Sequence, residues 1–394
     1  MMKILQITAY YPPSLGGIQT FVQRLSQYLA ERGHQVDVLT VNTDHAPAQE
    51  AGTSGIRITR TPLDLNLYRA VFSRSFAQKL MSASGYDVYH IHIPFHVGLE
   101  TAVLAARRNR TPLVATHHGQ GLRGSLLYTM MAHTYSWFSQ NISLRGVDVP
   151  VFLTPSYAHS LNLPAVVQQR MQIVRTGAEV QQFSAGGMGT AIRQTYNIPA
   201  SDPLILFVGY LGKSNRYKGI DYLLKAFVSV RQQSANARLL IVGGGDWLPE
   251  LQTLAERLEI ADQVIFAGPV ENGRLPDYYA AADLFVLPSI SGPENSPVVL
   301  FEAMASAKPV VATTIPGVVD IVKHEETGLL VPPKDVPQLA AAITRIVQDK
   351  DFRQRAGRYA RQHTEQYTWK HCAQQMEQIY QARAMNKPMV GTLS

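Results

Sequence analysis

The sequence has almost no cysteine. Cys372 is the single one among 394 residues, which excludes an internal disulfide and a zinc site built from cysteines. Long apolar runs are also missing, because no stretch reaches the roughly 18 uninterrupted apolar residues that a membrane-spanning helix needs. Residues 1–13 contain one lysine and a short apolar run without a small-residue cleavage site, so we predict a buried strand there rather than a signal peptide. These absences favour a cytoplasmic protein.

Charged residues are few, at 16% of the chain against 46% hydrophobic residues, which is typical of a globular protein and excludes a disordered one. A chain of this length is predicted to form two domains of roughly 150–200 residues each. The net charge of +7 is uneven, since residues 1–190 contain 15 Lys and Arg against 9 Asp and Glu, whereas the remainder contains 21 against 20. The basic first half favours anionic partners such as phosphate or an acidic membrane surface, although an ordinary basic surface fits the same count. No Lys/Arg-rich run of the nucleic-acid-binding type is present, so nucleic acid is not an expected partner.

Short apolar runs alternate with helical patterns, as is typical of βαβ units and mostly parallel sheets. We predict two Rossmann-like doubly wound α/β domains facing across a cleft, one over residues 1–185 and one over residues 190–368. A polar glycine-rich stretch at 182–192 is the predicted linker, and residues 369–384 are predicted to form a terminal helix. Such sheets bind ligands at the carboxyl ends of their strands. The predicted strands are 3–8, 35–40, 88–93 and 113–116 in the first half, and 204–208, 238–242, 264–266, 284–287 and 309–312 in the second.

Two familiar nucleotide-binding motifs are absent. No G-x-G-x-x-G is present, which disfavours an oxidoreductase with a dinucleotide cofactor. Gly212-Lys213-Ser214 spells the end of a P-loop, but Phe207 stands where that motif needs its first glycine, so an NTPase is excluded. A different glycine pair, Gly16 and Gly17, directly follows the first strand and precedes a helix. Backbone amides there suit a phosphate, although a Gly-Gly pair is also a common simple turn.

Cationic side chains follow the first strand of the second half. Lys213, Arg216 and Lys218 lie on this loop, where they suit a diphosphate leaving group. A solvated basic loop fits the same residues equally simply.

The stretch from Ser289 to Val311 carries two glutamates eight residues apart. Pro297 suits the first turn of a helix and Ser296 its N-cap, so we predict a helix over 297–306. Glu302 then lies inside this helix and Glu294 precedes it. A carboxylate beside a helix start that binds phosphate can accept hydrogen bonds from sugar hydroxyls. The spacing of two glutamates is by itself common.

Histidines collect at the ends of two predicted strands: His90, His92 and His96 on one, and His117 and His118 on the next. No acidic residue accompanies them at a metal-ligand spacing, so we expect no metal site. A histidine in this position is expected to hydrogen-bond a substrate or to be a satisfied, half-buried structural residue.

In their order along the chain, eight segments resemble the retaining glycosyltransferases of family four, which have the two-domain GT-B architecture. The resemblance covers nearly the whole sequence. It implies that the terminal region 369–394 joins the first domain, and that the second domain binds a nucleotide sugar while the first binds the acceptor. The segments are 10–40, 111–119, 174–183, 206–227, 238–246, 275–289, the stretch containing Glu294 and Glu302, and 317–335.

The resemblance also implies roles for individual residues. Glu294 is expected on hydroxyls of the donor sugar and Glu302 on the nucleotide ribose. Lys218 matches the lysine that binds the donor diphosphate, and His118 matches the histidine beside the transferred sugar. The other expected donor-binding residues are Gly16, Gly17, Gly209, Lys213, Arg216, Asn295, Ser296, Pro297 and Val298.

The implied reaction is transfer of a hexosyl group from a nucleotide-diphosphate sugar to a glycan or lipid-linked acceptor, with retention, without a metal and without another cofactor. A nucleotide-sugar epimerase or hydrolase using the same cleft is the alternative. Residues 121–138 contain Arg123, no acidic residue and several large apolar side chains. They favour a lipid-linked acceptor and a peripheral contact with the anionic inner face of the cytoplasmic membrane, although an ordinary buried helix also fits.

Two positions depart from the family pattern. Tyr210 stands where many members have an arginine after the first strand of the second domain, and we hypothesise that Lys213 or Arg216 supplies the missing charge. The Gly-Phe-Gly that often follows the first glutamate is replaced by Asn295, Ser296 and Pro297. The identity of the donor sugar therefore stays open.

Overall fold

A computed structural model describes residues 1–14, 16–67, 70–119, 126–183, 188–291 and 294–385. The chain divides into two compact units. The first comprises Met1–Thr176 together with Trp369–Ser394, and the second comprises Gly177–Thr368. Among the described residues, no helix has the length and apolar character needed to cross a bilayer.

The first unit is built on a sheet with the order β10-β9-β8-β7-β1-β2-β4-β3, in which all neighbours are parallel except the antiparallel pair β3 and β4. Strands β5 and β6 form a separate antiparallel pair. The strands are β1 (Lys3–Ile7), β2 (Gln35–Asn42), β3 (Gln49–Ala51), β4 (Arg57–Pro62), β5 (Leu65–Leu67), β6 (Ala70–Phe72), β7 (Val88–Ile93), β8 (Leu113–His117), β9 (Val149–Phe152) and β10 (Gln172–Ile173). The helices before the unit boundary are α1 (Gly17–Glu31), α2 (Arg74–Ser82), α3 (Gly98–Asn109), α4 (Leu126–Asn141), α5 (Pro155–Ser160) and α6 (Ala165–Gln168).

The second unit contains an all-parallel sheet with the order β13-β12-β11-β14-β15-β16. Its strands are near-continuous apolar runs such as Leu204–Val208, since a parallel sheet is covered by helices on both faces. The elements are α7 (Gly189–Thr195), β11 (Leu204–Val208), α8 (Ile220–Gln233), β12 (Arg238–Val242), α9 (Leu248–Arg257), β13 (Val264–Gly268), α10 (Leu275–Ala281), β14 (Leu284–Leu287), α11 (Val298–Ala305), β15 (Val310–Thr313), β16 (Gly328–Val331), α12 (Val336–Gln348) and α13 (Lys350–Thr364).

The last helix, α14 (Trp369–Ala384), belongs to the first unit. Trp369, Met376 and Tyr380 are buried on it and share a core with Phe21 and Leu25 of α1. The Trp369 and Phe21 rings meet edge to face with centroids 5.4 Å apart. The apolar face of α14 therefore covers one side of the first sheet.

The boundary between the units lies earlier than the predicted end of the first domain at residue 185. The amide of Ala178 donates to the carbonyl oxygen of Tyr367 at 2.9 Å, and Phe183 is buried in the core of the second unit. The predicted linker at 182–192 is also displaced, because α7 begins at Gly189 inside the second unit. Its residues 184–187 lie outside the described part of the chain.

The predicted strands are all present, with ends that differ by one or two residues. Several strands escaped prediction, among them β4, β9 and β16. Strand β4 (RITRTP) lacks a continuous apolar run, β9 (VPVF) contains a proline, and β16 (GLLV) is short and begins with glycine. Pairing with neighbours in the sheet overrides these weak local signals.

Candidate active site

The second sheet reverses its strand order between β11 and β14. Strands β12 and β13 follow β11 on one side, whereas β14, β15 and β16 extend from its other side. Ligands of open α/β sheets bind outside the carboxyl ends of the strands at such a reversal. Gly209 directly follows β11, and the segment with Glu294 follows β14. The topology therefore brings the two main predicted motifs to one edge.

Lys218 and Glu294 form an ion pair at this edge. The Lys218 Nζ atom donates to Oε1 of Glu294 at 2.7 Å, and the two side chains are only 12% and 8% exposed. Ser289 donates to the same carboxylate oxygen at 3.3 Å. Burial lowers the pKa of Lys218, but the charge and the hydrogen bond of Glu294, together with nearby Tyr217, outweigh this effect and leave that pKa above its usual value. The Lys218 ammonium group thus stays charged, although both side chains are largely withdrawn from solvent.

Two glycines allow the backbone to hold this pair. Gly219 follows Lys218 with φ of +69°, and a Cβ there would overlap the carbonyl oxygen of Pro288. The amide of Ile290 also donates to the Tyr217 carbonyl at 2.7 Å, which joins the two loops. Gly317 has φ of +91°, and a Cβ there would overlap the carbonyl oxygen of Glu294. Only glycine permits both this left-handed conformation and this close approach.

Glu302 lies on α11 and accepts a hydrogen bond from Tyr279. The Tyr279 Oη atom is 2.8 Å from Oε2 of Glu302. Burial raises the pKa of Glu302 from 4.5 to about 7, although the tyrosine hydrogen bond opposes this shift. Burial and the nearby carboxylate also raise the pKa of Tyr279 well above its usual value. At neutral pH the Glu302 carboxyl group is therefore close to its titration midpoint.

The helix that carries Glu302 begins one residue later than predicted. Pro297 is its N-cap and Val298 its first residue, and it ends at Ala305. Ser296 is not the cap, because no cap hydrogen bond from its side chain forms, and its Oγ is buried without a partner among the described residues. Pro297 instead has the extended backbone of a cap residue, with φ of −67° and ψ of 113°, so the first helical residue is Val298. Asn295 is only 1% exposed.

Lys213 and Arg216 pair with a different carboxylate from the one that binds Lys218. The Lys213 Nζ atom lies 2.8 Å from Oε1 of Glu250, and Arg216 Nη2 lies 3.9 Å from Oε2 of the same carboxylate. Arg216 also lies over the Trp247 ring at 5.2 Å. Both cations are about half exposed, at 52% and 54%. Their contribution to donor binding stays a prediction.

In the first unit, the predicted glycine pair lies at the start of α1, after β1. Gly16 is the N-cap and Gly17 the first residue of this 15-residue helix, and no side chain of the described residues caps that end. Strand order in this sheet reverses between β1 and β7, so the glycines again follow a strand at the reversal.

His118 follows β8 and is held by other buried side chains. Its Nε2 atom lies 3.0 Å from Nδ1 of His92, and its ring meets the Phe21 ring edge to face with centroids 4.8 Å apart. Burial lowers the pKa of His118 to about 3, and that of neighbouring His117 to about 4. These imidazoles are neutral at physiological pH. In the described part of the chain, no group of three or more His, Cys, Asp or Glu side chains could hold a metal.

Several site residues escaped sequence reasoning. Tyr279 and Ser289 contact the two glutamates, and Gly317 supports the loop between them. Each belongs to a segment that carries the family resemblance, at 275–289 or 317–335. That ordered similarity was the one available signal, because a single tyrosine, serine or glycine has no local pattern.

Two family models match the chain. The model of Glycosyltransferase Family 4 matches residues 15–182, and that of Glycosyl transferases group 1 matches residues 189–363. The chain belongs to the family 4 glycosyltransferases. It is therefore an enzyme of the class that uses nucleotide-sugar donors.

Relatives similar along their whole length agree with this membership. An uncharacterized glycosyltransferase of Methanocaldococcus jannaschii is 29% identical over 396 residues, which cover 96% of this chain and 98% of the relative. A GDP-mannose-dependent alpha-(1-6)-phosphatidylinositol monomannoside mannosyltransferase of Mycobacterium tuberculosis is 26% identical over 386 residues, covering 94% and 95%.

A solved structure gives the same result for the fold. Sucrose-phosphate synthase from Thermosynechococcus elongatus matches with a TM-score of 0.81 at 25% identity, covering 98% of this chain and 100% of that chain. The predictions of a glycosyltransferase and of two Rossmann-like domains of the GT-B type are confirmed. The alternative of an epimerase or hydrolase is not favoured.

Proposed function

We propose that this glycosyltransferase moves a hexosyl group from a nucleotide-diphosphate sugar to a glycan or lipid-linked acceptor, with retention and without a metal. The observation that carries the proposal is the Lys218–Glu294 ion pair at the strand reversal of the second sheet. It supplies one cation for a diphosphate and one carboxylate for sugar hydroxyls, both fixed in position before the donor arrives.

Charge on the leaving group is neutralised by Lys218 in this proposal. As the glycosidic bond to the diphosphate breaks, negative charge grows on the phosphate oxygens, and a fixed ammonium group stabilises that charge. Glu294 orients the sugar through its hydroxyls, and Glu302 binds the nucleotide ribose. In this proposal, protein side chains therefore neutralise the charge that a metal ion neutralises in other transferases.

Retention is proposed to follow from attack on the same face as the departing diphosphate. A double displacement needs a carboxylate nucleophile at the anomeric carbon. Glu294 accepts hydrogen bonds from Lys218 and Ser289. These contacts support a role in binding rather than as the nucleophile. In the proposed step a donor phosphate oxygen takes the proton of the acceptor hydroxyl as the new glycosidic bond forms.

A lipid-linked acceptor is supported by helix α4 of the first unit. Met130 and Trp137 are 61% and 60% exposed on this helix, and Phe138 and Ile142 are exposed close by. Their spacing places them along one side of the helix and its end. Arg145, also exposed, lies three residues after Ile142. An apolar strip with a cation at its end suits contact with an anionic membrane surface.

The decisive experiment begins with a panel of nucleotide sugars tested for thermal stabilisation, because a ligand that binds the folded state raises its stability. The stabilising donor is then incubated with glycan and lipid acceptors with chelator present, and the anomeric configuration of the product is read by NMR. Retained configuration and full activity in chelator are expected. An inverted product, or loss of activity restored by a divalent cation, would contradict the proposal.

Glu294→Ala is the matched variant for this test. It should abolish transfer while leaving the far-UV circular dichroism unchanged. Glu256→Ala, an exposed glutamate on α9, is the control and should retain full transfer. Wild-type turnover in Glu294→Ala would overturn the assignment of that residue.

A further inference from the structure

A chain of hydrogen bonds runs through the buried interior of the first unit and ends at His118. From His118 it passes to His92 on β7, then to Gln6 on β1, then to Tyr380 on α14. The distances are 3.0 Å from His118 Nε2 to His92 Nδ1, 2.8 Å from His92 Nε2 to Gln6 Oε1, and 3.5 Å from Gln6 Nε2 to Tyr380 Oη. The chain continues from Tyr380 to His90.

Gln6 determines which atom donates in each of the hydrogen bonds between it and His118. Its amide oxygen is an acceptor only, so the Nε2 atom of His92 carries a proton and donates to it. A neutral imidazole has one protonated nitrogen, which makes Nδ1 of His92 an acceptor. The bond between Nδ1 of His92 and Nε2 of His118 therefore requires that His118 be the donor.

Tyr380 accepts the hydrogen bond of the Gln6 amide group. The Gln6 amide nitrogen donates to the tyrosine oxygen, while the tyrosine hydroxyl lies 2.6 Å from Nδ1 of His90. His90 Nε2 lies 2.7 Å from Oγ1 of Thr116. Because the Tyr380 hydroxyl accepts from the Gln6 amide nitrogen, its own proton is left for Nδ1 of His90, and every contact from His118 to His90 then pairs one donor with one acceptor.

The interior members of this series of hydrogen bonds are desolvated and uncharged, whereas His118 at its end is partly exposed. Gln6 and His90 have no exposed surface, and His92 is 1% exposed. Burial and the neighbouring histidines lower the pKa values of His90 and His92 well below the usual value. Water does not compete for these hydrogen bonds, so the position of one proton determines which atom donates in the neighbouring bond.

We propose that Tyr380, Gln6 and His92 are positioning residues that hold His118 as the Nε2–H tautomer, so that its Nδ1 lone pair accepts a hydrogen bond from a hydroxyl of the transferred sugar. The inference about the sugar rests on the proposed function, because the contact of His118 with the donor is part of it. The tautomer rests on the hydrogen-bond geometry of the protein alone. His118 in this arrangement orients the sugar as a neutral acceptor and is not a proton donor to the leaving group.

The tautomer is measured directly by NMR of protein labelled with ¹⁵N in its histidine rings, since protonated and unprotonated ring nitrogens have distinct shifts. The His118 signals are assigned from a His118→Gln variant. In the wild-type protein without ligand, His118 is expected to carry its proton on Nε2. A proton on Nδ1 would overturn the proposal.

Variants of Gln6 test the hydrogen-bond relay, which runs from Tyr380 through Gln6 and His92 to His118. They distinguish its effect on the His118 tautomer from the effect of simple packing. Gln6→Met keeps the side-chain length but removes the acceptor, so His118 should become a mixture of tautomers. Gln6→Glu retains an oxygen that accepts from His92, and His118 should remain Nε2–H. Thr61→Val is the matched control, because it removes a buried hydrogen bond of the same unit, from Thr61 Oγ1 to the Thr40 carbonyl, that lies outside these contacts and should leave His118 unchanged.

Tyr380→Phe provides a second disturbance if Gln6→Met does not fold. It removes the acceptor for the Gln6 amide, so part of the His118 population should shift to the other tautomer. Unchanged His118 signals in the folded members of this pair would overturn the relay.

Activity then tests the link to the sugar. In Gln6→Met and Tyr380→Phe, kcat/KM for the nucleotide sugar should fall roughly tenfold, as expected for one hydrogen bond lost in the transition state. Affinity for UDP or GDP alone should stay unchanged, because these ligands carry no sugar. An equal loss of nucleotide and sugar-nucleotide binding would indicate a purely structural role. If no nucleotide sugar reacts at all, the proposed function fails while the NMR result still decides the relay.

Discussion

Lys218 and Glu294 bind each other at 2.7 Å, although one is expected to hold the donor diphosphate and the other the donor sugar. A nucleotide sugar offers a partner for each of them: phosphate oxygens for the ammonium group and hydroxyl donors for the carboxylate. In the proposed function, donor binding therefore exchanges one buried ion pair for two new sets of contacts. The pair keeps both side chains in place before binding, which reduces the ordering cost of the bound state.

Breaking this pair should be costly for folding. Lys218→Met leaves the buried carboxylate of Glu294 without its counter-ion, and we expect a loss of about 3–5 kcal/mol of unfolding free energy. Urea denaturation followed by circular dichroism measures this loss. Lys225→Met removes the exposed pair with Asp221 on α8 and should cost less than about 1 kcal/mol. Equal losses in both variants would show that Glu294 is well solvated.

Glu302 should make stability depend on pH. Its pKa is raised by burial to about 7 in the folded protein, against 4.5 without burial. Between these values the folded state holds a proton that the unfolded state has released, so stability falls as pH rises through this window and levels off above it. Glu302→Gln lacks this slope. Relative to wild type, it should gain up to about 3 kcal/mol on going from pH 4.5 to pH 8.

Denaturation midpoints at several pH values test this behaviour of Glu302. Glu256→Gln on α9 is the exposed control and should follow the wild-type curve. Tyr279→Phe should move the window to higher pH, because the tyrosine hydrogen bond lowers the pKa of Glu302. Parallel curves for wild type and Glu302→Gln would contradict a buried, protonated carboxyl group.

Gly317→Ala should destabilise the second unit and displace the loop that carries Glu294. The added Cβ meets the Glu294 carbonyl at a φ of +91°, so the cost should exceed about 1 kcal/mol. Gly268→Ala is the matched control, since Gly268 also has positive φ, at +74°, but no atom within 4 Å of the added Cβ. Nucleotide-sugar affinity, measured by calorimetry, should fall in the first variant only. Similar affinities would show that the close contact does not position Glu294.

Glu250 competes with the donor for two cations if Lys213 and Arg216 supply the charge missing at Tyr210. Glu250→Gln should then tighten donor binding by up to about fivefold, because an exposed ion pair contributes about 0.2–1 kcal/mol. Arg216→Ala should weaken it. Glu325→Gln, which frees Arg345 from another exposed pair, is the control and should change nothing. Unchanged affinity in Lys213→Ala and Arg216→Ala would exclude both residues from donor binding.

Helix α4 should bind anionic vesicles through its exposed apolar residues. Trp137→Ala is expected to reduce co-sedimentation with phosphatidylglycerol vesicles at low salt, because it removes a large apolar surface from the contact. Tyr359→Ala is the control, since Tyr359 is 49% exposed in the second unit. Failure of the wild-type protein to sediment with anionic vesicles would remove the support for a membrane-surface acceptor.

The alternation of apolar runs and helical patterns by itself determined the fold class. Runs such as LILFV in β11 and LLIV in β12 are apolar throughout, and that is enough to predict buried parallel strands. The order of the motifs determined the family, because eight segments in sequence specify more than any one of them. Helix starts were less certain, and the one near Pro297 moved by a residue because the cap depends on backbone geometry.

Contacts between distant residues were decided only by the tertiary structure. Lys218 and Lys213 lie five residues apart on one loop, yet one faces Glu294 and the other Glu250. Gln6, His92, His118 and Tyr380 come from four separate elements, and no local pattern relates them. Sequence periodicity reports which face of an element is apolar. Side-chain partners across a sheet depend on strand order and register, which arise only when the whole unit packs.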